Sequence, residues 1–153
     1  MLFRSVVADE VGRVELIERA PAVGWVEERV AEVVAKTPMP VVLDGRGPVA
    51  FLADGLEGRG VQVIRTSTSD YVHGCSQIMT KIVEGQVRVR SHPGFDSAVA
   101  AARKRPIGDS WVWARRSIDA DISPLVAMTL AVLMASVAPP EPEPARKPLM
   151  AFG

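Results

Sequence analysis

The stretch "SIDADISPL", residues 117–125, leads directly into "LVAMTLAVLMASVA", which is almost entirely small and apolar. An apolar run of this length is too short to cross a bilayer, so it indicates a helix buried inside a folded domain. Ser123 is suited to cap such a helix, and Pro124 is suited to its first position. Two carboxylates, those of Asp119 and Asp121, therefore stand just before the start of a buried helix.

Strand and helix patterns alternate along the rest of the chain. "LFRSVVA" and "RVELIERA" flank the turn residues of "DEVG", which predicts a β-hairpin near the N-terminus. Beyond it, helical spacing, short apolar strands and Gly/Pro breaks predict the order α-β-α-β-α-β-α-β-α, in which the third strand is very short. A hairpin followed by alternating elements predicts an α/β domain with a mixed sheet flanked by helices.

The C-terminal third is expected to contain a helix, a strand, the buried helix and a tail. "HPGFDSAVAAARKR" is interpreted as a helix with a basic end, and "DSWVWARR" as a strand. The predicted folded domain covers residues 1–138. Residues 139–153 are rich in proline and charge, which predicts a disordered tail.

The charges of the chain are balanced overall but unevenly distributed along it. The 153 residues carry 18 Lys and Arg against 18 Asp and Glu, so bulk charge indicates no partner. Locally, residues 88–116 hold seven basic residues against two acids. Such a segment attracts phosphates, although a solvated surface gives the same pattern.

Cys75 is the single cysteine, which excludes a disulfide within the chain and suits a reducing cytoplasm. No secretory signal or membrane span is predicted from the sequence.

A second acid follows a predicted strand in "PVVLDGRGP". Asp44 ends that strand, at the edge of an α/β sheet where sites form, and the glycines after it allow a ligand to approach the backbone. If the last helix packs beside this strand, Asp44 and Asp121 converge and could hold Mg²⁺ or Mn²⁺. Asp119 would then be a third ligand or a supporting group. The alternative is structural: an Asp at a helix start is commonly a cap, and an Asp after a strand commonly begins a turn.

Five stretches between Gly24 and Val137 form a recognisable pattern, in the order "GWVEERVAEVV", "PVVLDGRGP", "LEGRGVQVI", "VEGQVRVRSHPGFDSAVAAARKRPIGDSWVWARRS" and "DISPLVAMTLAV". In these stretches the chain resembles the C-terminal nuclease domain of phage terminase large subunits, the DNA-packaging motors of tailed bacteriophages. The ending "DISPLVA" after "WVWARRS" is the most specific of them and looks like the version found in phages of actinobacteria. The resemblance implies a ribonuclease H-like fold and a metal-dependent endonuclease that cuts concatemeric phage DNA.

The resemblance also implies roles for particular residues. Asp44 matches the acid that ends the family's fourth strand, and Asp121 matches the acid that leads into its last helix. Both would be catalytic and would bind Mg²⁺ or Mn²⁺, with Asp119 as a further metal ligand. The residues expected to contact the DNA backbone are Arg46, His92, Lys104, Arg105 and Arg116.

Double-stranded DNA is the implied partner, in the cytoplasm of a bacterial host. The candidate protein partners are a terminase ATPase chain, the portal and the small terminase subunit. No G-x-x-x-x-G-K-[ST] motif occurs, so the ATPase motor of a complete terminase is not expected in this chain. The family's first catalytic acid lies on a strand before the hairpin, whereas Asp9 falls in the predicted hairpin turn.

Three functions stay open at this point. The leading one is a metal-dependent DNA endonuclease domain. The second is a catalytically incomplete domain derived from a terminase, which binds DNA or a packaging partner without cleavage. A third and weaker alternative is a nucleotide-binding domain that uses "DGRGP".

Overall fold

A computed structural model describes residues 2–8, 12–115 and 121–137 of the chain, with strands and helices in alternation after an N-terminal hairpin. In this described part, none of the helices combines the length and the apolar character needed to cross a membrane. The predicted tail, residues 139–153, lies outside the described residues. The elements in chain order are β1 Leu2–Ala8, β2 Arg13–Pro21, α1 Val26–Lys36, β3 Val41–Asp44, α2 Leu52–Gly58, β4 Val63–Thr66, α3 Thr68–Val83, β5 Arg88–Val89, α4 Pro93–Ala101, β6 Lys104–Ile107, β7 Ser110–Trp113 and α5 Ser123–Val137.

The strands form three hydrogen-bonded groups. The antiparallel hairpin of β1 and β2 is joined by the short parallel strand β5, β3 pairs in parallel with β4, and β6 pairs with β7 as a second antiparallel hairpin. Gly12 precedes β2 with a positive φ of 78°, and a Cβ there would lie 2.0 Å from the carbonyl oxygen of Gln86. Only glycine therefore lets β2 approach the segment that leads into β5.

Strand β3 separates two hydrophobic clusters, which explains how it presents Asp44. Val41 and Leu43 pack in the cluster that holds α1 and α2, whereas Val42 packs against the larger cluster around α3, β7 and α5. Side chains alternate between the two faces of a strand. Asp44 therefore emerges on the same face as Val42, at the carboxyl end of β3.

Helix α5 is the buried helix that its apolar sequence predicts. It contacts β1, β2, β3, α3 and α4, and so it has apolar neighbours on several sides. Its one buried hydroxyl, that of Thr129, donates to the Leu125 carbonyl and accepts from Trp113 Nε1 at 3.1 Å. Gly74 of α3 allows the two helices to approach, because a Cβ there would lie 3.2 Å from Thr129 Cγ2.

The predicted helix over "HPGFDSAVAAARKR" is wrong at its basic end. Helix α4 ends at Ala101, and the residues that follow enter β6, where Arg105 pairs with Val112 of β7. Pro106 explains the difference, because it lacks the N–H that a helix requires and disfavours helical geometry in the residue before it. The basic residues therefore lie on a hairpin strand rather than on a helix.

Candidate active site

The Asp44 carboxylate lies at the end of β3 and is almost completely buried, with 6% of its surface exposed. Its Oδ1 accepts a hydrogen bond from the backbone N–H of Arg46 at 3.1 Å. Across the strand pair, the Gly45 N–H donates to the Thr66 carbonyl at 3.0 Å, which fixes the turn after β3. Burying a charge costs several kcal/mol unless a partner compensates it, so a cation close to Asp44 is expected.

Arg115, which follows β7, supplies that cation. Its Nη2 forms an ion pair with Asp44 Oδ2, and its Cζ lies 4.5 Å from the centre of the Tyr71 ring. The Arg115 side chain is about one-third exposed, so its guanidinium group reaches from a buried carboxylate towards solvent. A Cβ at Gly47 would lie 2.6 Å from Asp44 Oδ2 and 2.9 Å from Arg115 Nη1, so the ion pair requires glycine at this position.

Tyr71 and Cys75 lie one turn apart on α3, and Arg115 lies over the ring of Tyr71. The Tyr71 hydroxyl donates to the Trp113 carbonyl at 3.4 Å. Burial raises the pKa of Tyr71 above its usual value. Burial likewise raises the pKa of the Cys75 thiol, which is fully buried. Both groups therefore stay neutral at physiological pH, and the thiol is not an activated nucleophile.

A cavity of about 130 Å³ opens beside Asp44. Its charged lining is one carboxylate, that of Asp44, against three guanidinium groups, and the cavity therefore carries a positive charge. The full set of lining residues is Asp44, Arg46, Thr68, Tyr71, Arg105, Ile107, Val112 and Arg115. Arg46 and Arg105, both predicted from the sequence to contact DNA, are thus brought together by the fold.

Lys104 lies on the same hairpin strand as Arg105 but does not line the cavity. Its ammonium group lies 4.3 Å from the centre of the Trp111 ring, and Trp111 in turn meets Trp113 edge to face at 4.8 Å between ring centres. The hairpin register places Lys104 on the same face as Trp111 and Trp113, opposite to the face of Arg105. Its predicted contact with DNA stays a prediction.

Asp121 lies before the first turn of α5. Its Oδ1 accepts a hydrogen bond from the backbone N–H of Ser123 at 2.9 Å and also contacts the Ser123 hydroxyl. This is the arrangement of a side chain that caps a helix start, and it accounts for the predicted capping role of this segment. Within the described residues, Asp121 is not among those that line the cavity, and the convergence of Asp44 and Asp121 stays a prediction.

Three predicted site residues remain, of which the structure describes only His92. His92 caps α4, since its Nδ1 accepts from the Gly94 N–H at 2.9 Å, and this gives the histidine a structural role. Asp119 and Arg116 lie outside the described residues. Asp109, an acid of the basic segment, occupies the two-residue turn between β6 and β7 and does not line the cavity.

The described residues do not by themselves fit a divalent cation. No group of three or more His, Cys, Asp or Glu side chains in the described ranges is arranged to hold one. Asp44 is the only carboxylate among the lining residues, and its two oxygens already meet the Arg46 N–H and the Arg115 guanidinium. Mg²⁺ and Mn²⁺ prefer several oxygen ligands, so a metal site here would require a further carboxylate and the displacement of Arg115.

Sequence reasoning missed Arg115, Tyr71 and Thr68 as cavity residues. Arg115 is visible in the sequence only as one member of a basic segment, and its partner Asp44 lies in a distant strand. Tyr71 had a detectable signal, because Tyr71, Cys75 and Ile78 follow the i, i+4, i+7 spacing of a buried helix face. That spacing predicts burial but does not indicate a site.

Comparison with known proteins identifies the fold. No protein-family model matches the chain, and no curated protein matches it. Among solved structures, the chain is similar to the large terminase nuclease from the thermophilic phage G20c, with a TM-score of 0.62 and 18% sequence identity. The similarity covers 85% of this chain and 81% of that one. The predicted fold is thereby confirmed: the chain has the ribonuclease H-like α/β fold found in a phage large terminase nuclease.

Proposed function

We propose that the chain is a DNA-processing domain of the large-terminase nuclease type, which hydrolyses phosphodiester bonds at the Asp44 end of β3. The observation that supports this most directly is the position of Asp44, a buried carboxylate at the carboxyl edge of a parallel strand pair, beside a cavity rich in arginine. Ligand sites of α/β sheets form at this edge. The similar structure is itself a terminase nuclease, which makes double-stranded DNA the substrate we expect.

The proposed activity depends on Mg²⁺ or Mn²⁺, because the fold is that of a nuclease class whose carboxylates bind such ions. Asp44, Asp121 and Asp119 are the proposed ligands, although the described residues do not form a complete site. A partner chain would supply the family's first catalytic acid, in addition to these three. The terminase ATPase chain, the portal and the small subunit are the proposed protein partners, and the proposed location is the host cytoplasm.

Plasmid nicking tests the proposal. The purified chain is incubated with supercoiled plasmid and Mn²⁺, and EDTA serves as the metal control. Asp44→Asn removes the charge of the buried carboxylate. Asp54→Asn is the matched control, because Asp54 is an exposed carboxylate on α2 that pairs with Arg65 away from the cavity.

We expect nicking that requires metal and is at least about tenfold slower in Asp44→Asn than in Asp54→Asn. Equal rates in the two variants would place any cleavage elsewhere and contradict the assignment. A folded protein that does not nick would favour the second candidate, a domain that binds DNA without cleavage. The observation that favours this second candidate is the pairing of Asp44 with Arg115.

A further inference from the structure

The charged groups around the cavity are not balanced. Three arginines face one carboxylate, and the ion pair of Arg115 with Asp44 leaves two positive charges, those of Arg46 and Arg105. Elsewhere on the surface, Arg65 pairs with Glu57 and Arg90 with Glu15. Among the described residues, neither Arg46 nor Arg105 makes such a pair, which leaves their charges available to an anion.

We propose that this cavity is a seat for one phosphate group of the DNA backbone, held by Arg46, Arg105 and Arg115. The inference rests on the proposed function for the identity of the substrate, and it adds the position at which one phosphate binds. A phosphodiester carries one negative charge, which would compensate one of the two positive charges of Arg46 and Arg105. The second positive charge would attract the neighbouring phosphates.

As long as Arg115 stays paired with Asp44, before any metal ion displaces it, Arg115 would join the phosphate to that carboxylate. Its Nη2 contacts Asp44 Oδ2, its Cζ lies 4.5 Å from the centre of the Tyr71 ring, and its other terminal nitrogen, Nη1, lies on the side of Gly47. A guanidinium group carries five N–H donors in a fixed plane, so it can contact a carboxylate and a phosphate at the same time. The ion pair with Asp44 and the cation–π contact with Tyr71 together hold the guanidinium group at the edge of the cavity.

The size of the cavity favours a backbone phosphate over a nucleotide. A volume of about 130 Å³ is well below the roughly 300 Å³ at which pockets for larger organic ligands begin. The aromatic ring that lines it is buried beneath Arg115, so it does not offer a face on which a base could stack.

The test measures phosphate binding directly and needs no cleavage. ¹⁵N-labelled protein is titrated with inorganic phosphate at constant ionic strength, and the Arg46 backbone amide, which contacts Asp44, reports binding. Arg46→Gln and Arg105→Gln each remove one uncompensated charge. Arg103→Gln is the matched control, since Arg103 belongs to the same basic segment but binds the carbonyls of Ala100 and Ala102 outside the cavity.

We expect each of the two cavity variants to weaken phosphate binding by about tenfold, and the control to leave it unchanged. Arg115 is replaced by lysine rather than truncated, because the buried Asp44 requires a cation. We expect Arg115→Lys to keep the fold and to lose the contact between residue 115 and the phosphate. Absence of phosphate binding, or equal weakening in the control, would overturn the proposed seat.

Two further arms separate the sources of the phosphate. A short DNA duplex should compete with inorganic phosphate in the wild-type protein, whereas stronger competition by ATP than by the duplex would identify a nucleotide site and refute the DNA assignment. The outcome is independent of the nicking assay. If phosphate binding depends on these arginines but the protein does not nick DNA, the phosphate site is supported and the nuclease activity is refuted. If the protein nicks DNA but phosphate binding does not depend on these arginines, the nuclease is supported and the phosphate site is refuted.

Discussion

Asp44 and Asp121 are the same residue type with the same expected role, but the fold gives them different surroundings. Asp44 is buried, ends a strand and forms an ion pair with Arg115 beside a cavity. Asp121 is only partly buried, and its described contacts are with the N–H and hydroxyl of Ser123 at the start of α5. A carboxylate near an element boundary can thus hold an ion pair, as Asp44 does with Arg115, or accept hydrogen bonds at a helix start, as Asp121 does.

Substitution by asparagine should separate the two acids most strongly. Asp44→Asn leaves the Arg115 guanidinium without its counter-charge, and we expect a loss of about 2–3 kcal/mol in the free energy of unfolding. This is below the about 3–5 kcal/mol typical of a fully buried pair, because Arg115 is one-third exposed. Asp121→Asn should cost less than about 0.5 kcal/mol, since asparagine caps a helix nearly as well as aspartate.

Urea unfolding at neutral pH, followed by tryptophan fluorescence, measures both variants. Equal losses at Asp44 and Asp121 would contradict the contrast between them. A large loss at Asp121 alone would mean that its charge, rather than its hydrogen-bonding geometry, stabilises the start of α5.

A methyl group at Gly47 should disturb the Asp44 site without removing any charge. A Cβ there would lie 2.6 Å from Asp44 Oδ2, and we expect Gly47→Ala to destabilise the protein by about 1–2 kcal/mol as the ion pair moves. Gly58→Ala is the control, because a Cβ at Gly58 would meet nothing within 4 Å at the end of α2. Thermal unfolding should show no loss for the control, and comparable losses in the two variants would refute the steric explanation.

A third carboxylate, that of Asp70, stands at another helix start and provides a pH test. The Ser67 N–H and hydroxyl donate to Asp70 Oδ2 in a capping box at the start of α3, and these hydrogen bonds lower the pKa of Asp70. A lowered pKa in the folded state adds stability above the pKa of the unfolded chain, about 3.9, and the contribution is lost as the pH falls through the folded value.

We therefore expect Asp70→Asn to cost about 0.5–1 kcal/mol at pH 6, and the difference from wild type to shrink below about pH 4. Urea unfolding across this pH range measures the difference. A gap between the two proteins that stays constant from pH 6 to pH 3 would show that the charge of Asp70 contributes nothing to the cap.

The errors of the sequence-based prediction came from local competition between elements. The helix assigned through "ARKR" follows the alanine-rich spacing, yet the chain turns at Ala102 and forms β6. The signal for a hairpin was present, because β6 and β7 are separated by Gly108 and Asp109 alone, and Gly108 adopts a positive φ of 55°. A Gly-Asp pair between two strands favours a tight hairpin turn, and Pro106 excludes helix continuation.

The sequence by itself determined the features that depend on neighbours along the chain. The N-terminal hairpin, the all-round apolar character of α5 and the position of Asp44 at a strand end all follow from local periodicity and turn chemistry. The tertiary structure alone decided which cation Asp44 meets. Arg115 reaches Asp44 because β7 packs against α3 and places the arginine over Tyr71. Such contacts depend on how distant elements pack, and the residue pattern of a single element carries no information about its partner in space.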